Sequence, residues 1–326
     1  MKFRKIVIGA ALLVVGLPAV LVVAGAVSIS VMNRTNGTIV SSGQKREYLL
    51  HVPPGYDRTR PTPLVISLHG AMNWPALQMR VSQWNRVADE NGFLVVYPSG
   101  TGAVGKIWFM EGARTPSRMP DVRFIAELID TLEAAYNIDA TRIYASGFSN
   151  GGGMTFVLSC TLADRIAAFG AVSAAQYLPW SWCPDSQPVP MIAFHGTADR
   201  IVSYDGGRVL PVSCDRARRW GVLLGGCFAI HLMRFPSVMT WVANWARRNR
   251  CGPSPVDAAV AADVTRREYA GCADSAAVVL YTIQGGGHQW PGGKPLPQWI
   301  VGPASGSIEA TRLMWAFFRE HPLVRT

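Results

Sequence analysis

The chain has 326 residues, 49% of them hydrophobic and only 16% charged. That suffices to bury the core of one large α/β domain or of two small ones and excludes wholesale disorder. The net charge of +10 comes from scattered bases, with small clusters at Arg216, Arg218, Arg219 and at Arg247, Arg248, Arg250; no aromatic-interleaved stripe or recognition motif accompanies them, so nucleic acid is not an expected partner.

At the N-terminus, Lys2, Arg4 and Lys5 precede an uncharged, mainly apolar run of 27 residues from Ile6 to Met32. The run exceeds the ~20 residues that span a bilayer and the ~7–15 usual for a cleavable signal core. Residues 1–32 are therefore expected to be a signal anchor, with Ala24-Gly25-Ala26 offering a cleavage site if the segment is a signal peptide instead. Either way the positive flank stays inside, which puts residues 33–326 outside the membrane. Without residues 1–32, 28 bases face 21 acids. Asn33-Arg34-Thr35 and Asn36-Gly37-Thr38 match the glycosylation sequon.

Residues 47–52 read as a strand, stopped by Pro53-Pro54-Gly55. The continuous apolar run 64–68 has the character of a strand buried on both faces. It ends in His69-Gly70-Ala71, and the Ala71 backbone N–H is the expected donor of an oxyanion hole, with His69 fixing the loop. Trp74 follows three residues later. Residues 93–97 form the next strand. Gly100 to Lys106 fits GxxxxGK, but Ile107 stands where a phosphate loop needs Ser or Thr, and no helix follows directly. It is read as a Gly-rich loop near a site rim.

A helical pattern over 119–136 leads to a strand at 142–146 and then to Gly147-Phe148-Ser149-Asn150-Gly151. This G-x-S-x-G lies between a strand and a helical pattern over 150–159. The glycines permit a sharp turn that projects the Ser149 hydroxyl, and the Asn150 N–H supplies a second oxyanion donor. Strands at 168–172 and 191–194 follow. After the latter comes His195-Gly196-Thr197-Ala198-Asp199, which puts Asp199 at a strand's carboxyl end as the acid; Asp205 is its rival. Residues 206–233 look like an insertion. A helix over 238–249, a strand over 278–283 and a helix over 307–319 complete the series.

The loop after strand 278–283 carries His288 between Gly285-Gly286-Gly287 and Trp290-Pro291-Gly292-Gly293. His288 is the one histidine that follows the acid in a flexible loop. Ser149 would attack an ester carbonyl, His288 would take and return the proton, and Asp199 would orient the imidazole. Trp290 and Trp74 are expected to wall an apolar substrate groove, with Trp180 and Trp182 near its rim. Alternating strands and helices imply an α/β fold with a mostly parallel sheet flanked by helices. No cofactor and no metal is expected, and no oligomeric partner is indicated.

Six cysteines, Cys160, Cys183, Cys214, Cys227, Cys251 and Cys272, form no CxxC. An even number in an exported chain favours disulfides, of which six cysteines allow 15 pairings. Sequence order suggests 160–183, 214–227 and 251–272 without deciding among them.

The segments Tyr48 to Tyr56, Leu68 to Gly70, Gly92 to Pro98, Gly147 to Met154, His195 to Asp199 and Gly287 to Gly292 resemble the polyhydroxybutyrate-depolymerase-like esterases. That family includes feruloyl and acetylxylan esterases. The resemblance covers residues 40–322. It implies the α/β-hydrolase fold, Ser149, Asp199 and His288 as a triad, and disulfides 160/183 and 251/272. Two features depart from it: Trp108-Phe109-Met110-Glu111-Gly112 stands where the family has Trp-Asn-x-Gly, and the insertion at 206–233 is atypical. The resemblance also selects carboxylic esters as substrate, since a triad alone serves esterases, acyltransferases and peptidases equally. A catalytically silent anchored binding protein is the alternative from another class.

Overall fold

The computed structural model describes residues 31–102, 105–108, 119–176, 178–183, 187–208 and 234–324. Residues 1–30, most of the insertion at 206–233, Cys214 and Cys227 lie outside the described residues. Among the described residues no helix is long and apolar enough to cross a membrane.

Twelve strands are described: β1 (Gly37–Ser41), β2 (Gln44–His51), β3 (Thr62–Leu68), β4 (Leu94–Pro98), β5 (Ile138–Phe148), β6 (Ala168–Val172), β7 (Met191–Gly196), β8 (Gly207–Arg208), β9 (Arg234–Phe235), β10 (Val256–Ala261), β11 (Val264–Tyr269) and β12 (Val278–Ile283). Ten of them form one sheet in the order β1-β2-β4-β3-β5-β6-β7-β12-β11-β10, and β8 pairs with β9 at the base of the insertion. The run from β4 to β12 is parallel. Antiparallel strands border it on both sides.

The helices are α1 (Pro75–Ser82), α2 (Trp84–Asn91), α3 (Pro120–Ala135), α4 (Asn150–Thr161), α5 (Val238–Arg248), α6 (Gln298–Val301) and α7 (Ala310–Arg319). They cover both faces of the sheet. Along β3, Leu64, Ile66 and Leu68 pack with the apolar faces of α3, α4 and α5. Val65 points the other way, to Trp84 and Val87 of α2 and Met314, Trp315 and Phe318 of α7. Every residue of β3 is buried, because a period-2 chain between two helical layers has no wet face. This is the α/β-hydrolase architecture, as the alternation of strand and helix patterns implied.

Two disulfides join Cys160 to Cys183 and Cys251 to Cys272. The first ties the end of α4 to the segment after β6. The second ties the chain leaving α5 to the approach to β12.

Candidate active site

The six parallel strands deliver their loops to one edge of the sheet. β5 ends at Phe148, and α4 begins at Asn150, so Ser149 alone makes the turn. Its φ of 54° and ψ of −118° lie outside the regions that a non-glycine residue ordinarily occupies, a strain that persists only when its surroundings fix it. The surroundings do so. The Ser149 N–H donates to Val172 O at 2.9 Å and its C=O accepts from Gly153 N–H at 3.0 Å. A Cβ on Gly147 would collide with the Gly151 carbonyl, and one on Gly151 with the Leu68 and His69 carbonyls. Glycine is thus required at both places for the helix to approach so closely.

The loop after β3 lies against this turn: a Cβ on Gly70 would stand 3.3 Å from the Ser149 Cβ. Ala71 is exposed, and the Asn150 N–H, at the start of α4, has no intrahelical partner. The two expected oxyanion donors therefore belong to loops in contact.

β7 and β12 are parallel neighbours, and their exits are laced together. Thr197 N–H donates to Ile283 O and Ala198 N–H to Gly286 O, both at 2.9 Å. This brings Asp199 to His288: the His288 Nδ1 stands 2.8 Å from Asp199 Oδ2. The other carboxylate oxygen accepts the N–H groups of Ile201 at 2.9 Å and Val202 at 2.8 Å. Asp205, the rival acid, is exposed and makes no such contact with His288. The His288 ring lies 4.9 Å from Phe148, the residue before Ser149, and Ser173 Oγ donates to Gln289 O at 3.3 Å. Ser149, Asp199 and His288 are 9%, 5% and 4% exposed.

Burial alone would raise the Asp199 carboxyl, but the charge of His288 and the hydrogen bonds from His195 and His288 outweigh it and hold the group well below the usual carboxylate range. In the sequence His195 has no assigned role; in the structure it is the penultimate residue of β7. Its Nε2 lies 2.8 Å from Val202 O and 3.4 Å from Asp199 Oδ2, so a second imidazole faces the acid. Four-residue spacing from Asp199 was the signal available in the sequence.

His69 is buried as a loop-fixing residue. Its Nε2 accepts the Gly100 N–H at 3.0 Å, so Nδ1 carries the proton and donates to Gly70 O at 2.8 Å. Burial, more than any neighbour, pushes its imidazole from 6.5 down to about 4. Gly100 lies beside it, and the two described ends of the GxxxxGK segment are held by bridges between Thr101 and Ile107 and between Asn73 and Lys106.

The groove expectation is corrected at Trp290. Its ring is 2% exposed, its indole N–H donates to Thr311 Oγ1 at 2.9 Å, and it packs with the core on the α2 and α7 face of the sheet. A ring so enclosed cannot wall an open groove. Trp74, half-buried, precedes α1, and Trp180 packs edge-on against Phe156 at 4.8 Å.

The family model for esterase PHB depolymerase matches residues 46–178. The bifunctional acetylxylan esterase/xylanase XynS20E of Neocallimastix patriciarum is 36% identical over 143 residues, which is 44% of this chain but only 20% of that protein. The Nocardia uniformis subsp. tsuyamanensis protein NocK, named as an esterase, is 30% identical over 260 residues, 78% of this chain and 73% of that one. Among solved structures, acetyl xylan esterase from Aspergillus awamori superposes with a TM-score of 0.57 at 15% identity, over 87% of this chain and 98% of that chain; a likeness at that identity speaks for the fold. With the family model on residues 46–178 and a relative of this similarity across most of both chains, the chain belongs to the PHB-depolymerase family of esterases.

Proposed function

We propose that this protein is a serine carboxylic ester hydrolase, in which Ser149 is the nucleophile, His288 the general base and acid, and Asp199 the residue that orients it. The observation that carries this reading is the delivery of a 2.8 Å imidazole–carboxylate pair to the sheet edge where Ser149 holds a strained strand-to-helix turn. Ser149 Oγ attacks the ester carbonyl while His288 Nε2 takes its proton. The backbone N–H groups of Ala71 and Asn150 hold the resulting oxyanion. Collapse of the adduct passes that proton to the leaving alcohol and leaves an acyl-enzyme, which water attacks with His288 again as base.

The names of the relatives suggest acetyl esters as substrates, that of the family adds polyhydroxybutyrate, and the resemblance seen in the sequence adds feruloyl esters. Trp74 remains the candidate wall for the apolar part of the substrate. We also place the enzyme outside the cytoplasmic membrane, with residues 1–32 as signal or anchor and 33–326 as the hydrolase domain with its insertion at about 206–233. The two disulfides support that location, since they persist in oxidising compartments. Residues 33–326 assayed on p-nitrophenyl, feruloyl and short polyester substrates should turn over at least one class. Ser149→Ala should lose both turnover and labelling by a fluorophosphonate probe. Full activity in Ser149→Ala would sink this reading.

A further inference from the structure

An oxyanion hole works only if two N–H groups from separate loops are held at one spacing, and a single residue, Trp108, is bonded to both loops. Its backbone N–H donates to Asn150 Oδ1 at 2.8 Å and its C=O accepts from Asn150 Nδ2 at 3.2 Å. The Asn150 amide thus closes a two-bond clamp on the Trp108 backbone. From the same residue, the indole N–H donates to His69 O at 2.9 Å, and the indole ring lies 5.0 Å from the imidazole of His69 at 34°. Trp108 is 2% exposed.

The bonds continue to the atoms that matter. A peptide unit is a rigid plane, so fixing its C=O fixes the N–H on its opposite edge. His69 Nδ1–H holds Gly70 O at 2.8 Å, and the N–H in that same peptide unit is the Ala71 donor. Gly153 N–H holds Ser149 O at 3.0 Å, and the N–H in that unit is the Asn150 donor. Each oxyanion donor is therefore set from behind, and Trp108 joins the two.

We propose that Trp108, through the Asn150 side chain and the His69 backbone, is a positioning residue that sets the spacing of the oxyanion hole. The inference rests on the reading of Ala71 and Asn150 as oxyanion donors. Trp108 touches neither substrate nor the reacting serine in this role. It acts through two peptide planes, and the Asn150 side chain has a task distinct from that of its own backbone N–H.

The test uses Asn150→Ala, which keeps the N–H and removes the clamp, and Trp108→Phe, which keeps a ring and removes the indole donor. Asn150→Asp, which keeps only the acceptor half, serves if the alanine variant folds poorly. Rates on p-nitrophenyl acetate are taken per site titrated with a fluorophosphonate, so that misfolded enzyme is not counted. Loss of a whole oxyanion donor costs about 10²–10³ in kcat, so a displaced donor should cost about 10- to 100-fold. KM and the pH midpoints should stay within about twofold of the parent and 0.3 units or so respectively, because the His288–Asp199 pair is untouched. Affinity for a trifluoromethyl ketone, which forms a tetrahedral oxyanion adduct, should fall in parallel with kcat. Parental kcat per titrated site in both variants would overturn the brace while leaving the triad intact. Retained activity in Ser149→Ala would instead overturn the reading on which it rests.

Discussion

His69 and Asp199 are both buried ionisable groups, and burial acts on them in opposite senses. In His69 it favours the neutral form and lowers the pKa from 6.5 to about 4. The folded state therefore binds fewer protons than the unfolded chain between those values. The stability is full above 6.5 and is lost as pH falls toward 4, at up to about 1.4 kcal/mol per unit and about 3 kcal/mol in all. Urea unfolding at pH 7.5, 6, 5 and 4.5 should show this slope in the parent, and His69→Gln should lack it. Equal slopes in the two proteins would contradict the assignment. Asp199, with a lowered pKa, contributes stability above the unfolded carboxylate value and loses it only as pH falls further, so the two windows separate. In catalysis, Asp199→Asn should cut kcat by on the order of 10³–10⁴-fold through the wrong tautomer of His288. Asp205→Asn should change it less than twofold, since Asp205 is exposed. Steady-state kinetics on any accepted ester decides between them. The chain order of Ser149, Asp199 and His288, each just past an apolar run, made these residues legible in the sequence. Trp108 was not legible as a site residue, because its partners, Asn150 and His69, follow other strands and meet it only in the fold; His195 stands four residues before Asp199 in the same segment, and that spacing was the signal for it. Trp290 misled for a related reason: adjacency to His288 in the chain does not say whether a ring turns toward solvent or toward Thr311.

At the scale of elements, the join between β2 and α3 rests on a buried ion pair. Arg46 and Asp121, 5% and 2% exposed in their side chains, meet at 2.7 Å. Arg46 also donates to Ser99 O at 3.2 Å and lies 3.9 Å over the Phe124 ring. Removing one partner leaves a charge in a dry place, which costs about 3–5 kcal/mol, whereas replacing both with apolar groups is often neutral. Asp121→Ala should therefore lower the urea midpoint sharply, and Arg46→Met combined with Asp121→Leu should recover most of the loss. If the double variant is no more stable than the single one, the buried charge is not what destabilises it. The elements most evident from sequence were those with two dry faces: β6 and β12 occupy the expected residues, β3 and β7 extend the expected runs by two residues, and β4 is shifted by one. β10 and β11 were not expected. Nearly all of β10 is exposed, and its sequence VDAAVA shows no alternation of apolar and polar residues; its pairing comes from the hairpin to β11. The short helices α1 and α2 were also passed over. In α2 the buried Trp84, Val87 and Ala88 do recur at helical spacing, but eight residues are too few for that period to stand out.

Across the whole molecule, the triad loops hang from a sheet whose far end is tied by covalent links. Cys251–Cys272 closes a separation of 21 residues between α5 and the segment that enters β12, the strand that leads to the His288 loop. Cys160–Cys183 closes 23 residues between the end of α4, the helix that starts beside Ser149, and the 180–183 segment. In the chain-entropy model, loops of this length stabilise the folded state by about 3 kcal/mol each. For a domain of this size that corresponds to a fall of roughly 5–10 °C in Tm per bridge removed. The effect on chemistry should differ from the effect on stability. Within the folded state, α4 is packed against β5 and β6, and β12 is paired with both β7 and β11, so noncovalent contacts alone keep Ser149, Asp199 and His288 in place. Cys251→Ala with Cys272→Ala, and Cys160→Ala with Cys183→Ala, should each therefore leave kcat at 25 °C within about twofold while shifting the thermal midpoint. Peptide mapping without reduction should recover both linked pairs from the parent. Free thiols at Cys251 and Cys272 in the purified protein would refute the second bridge, and an unshifted midpoint in either double variant would show that its bridge does not stabilise the fold. A collapse of kcat at a temperature where the variant is still folded would show instead that the bridge positions a catalytic loop.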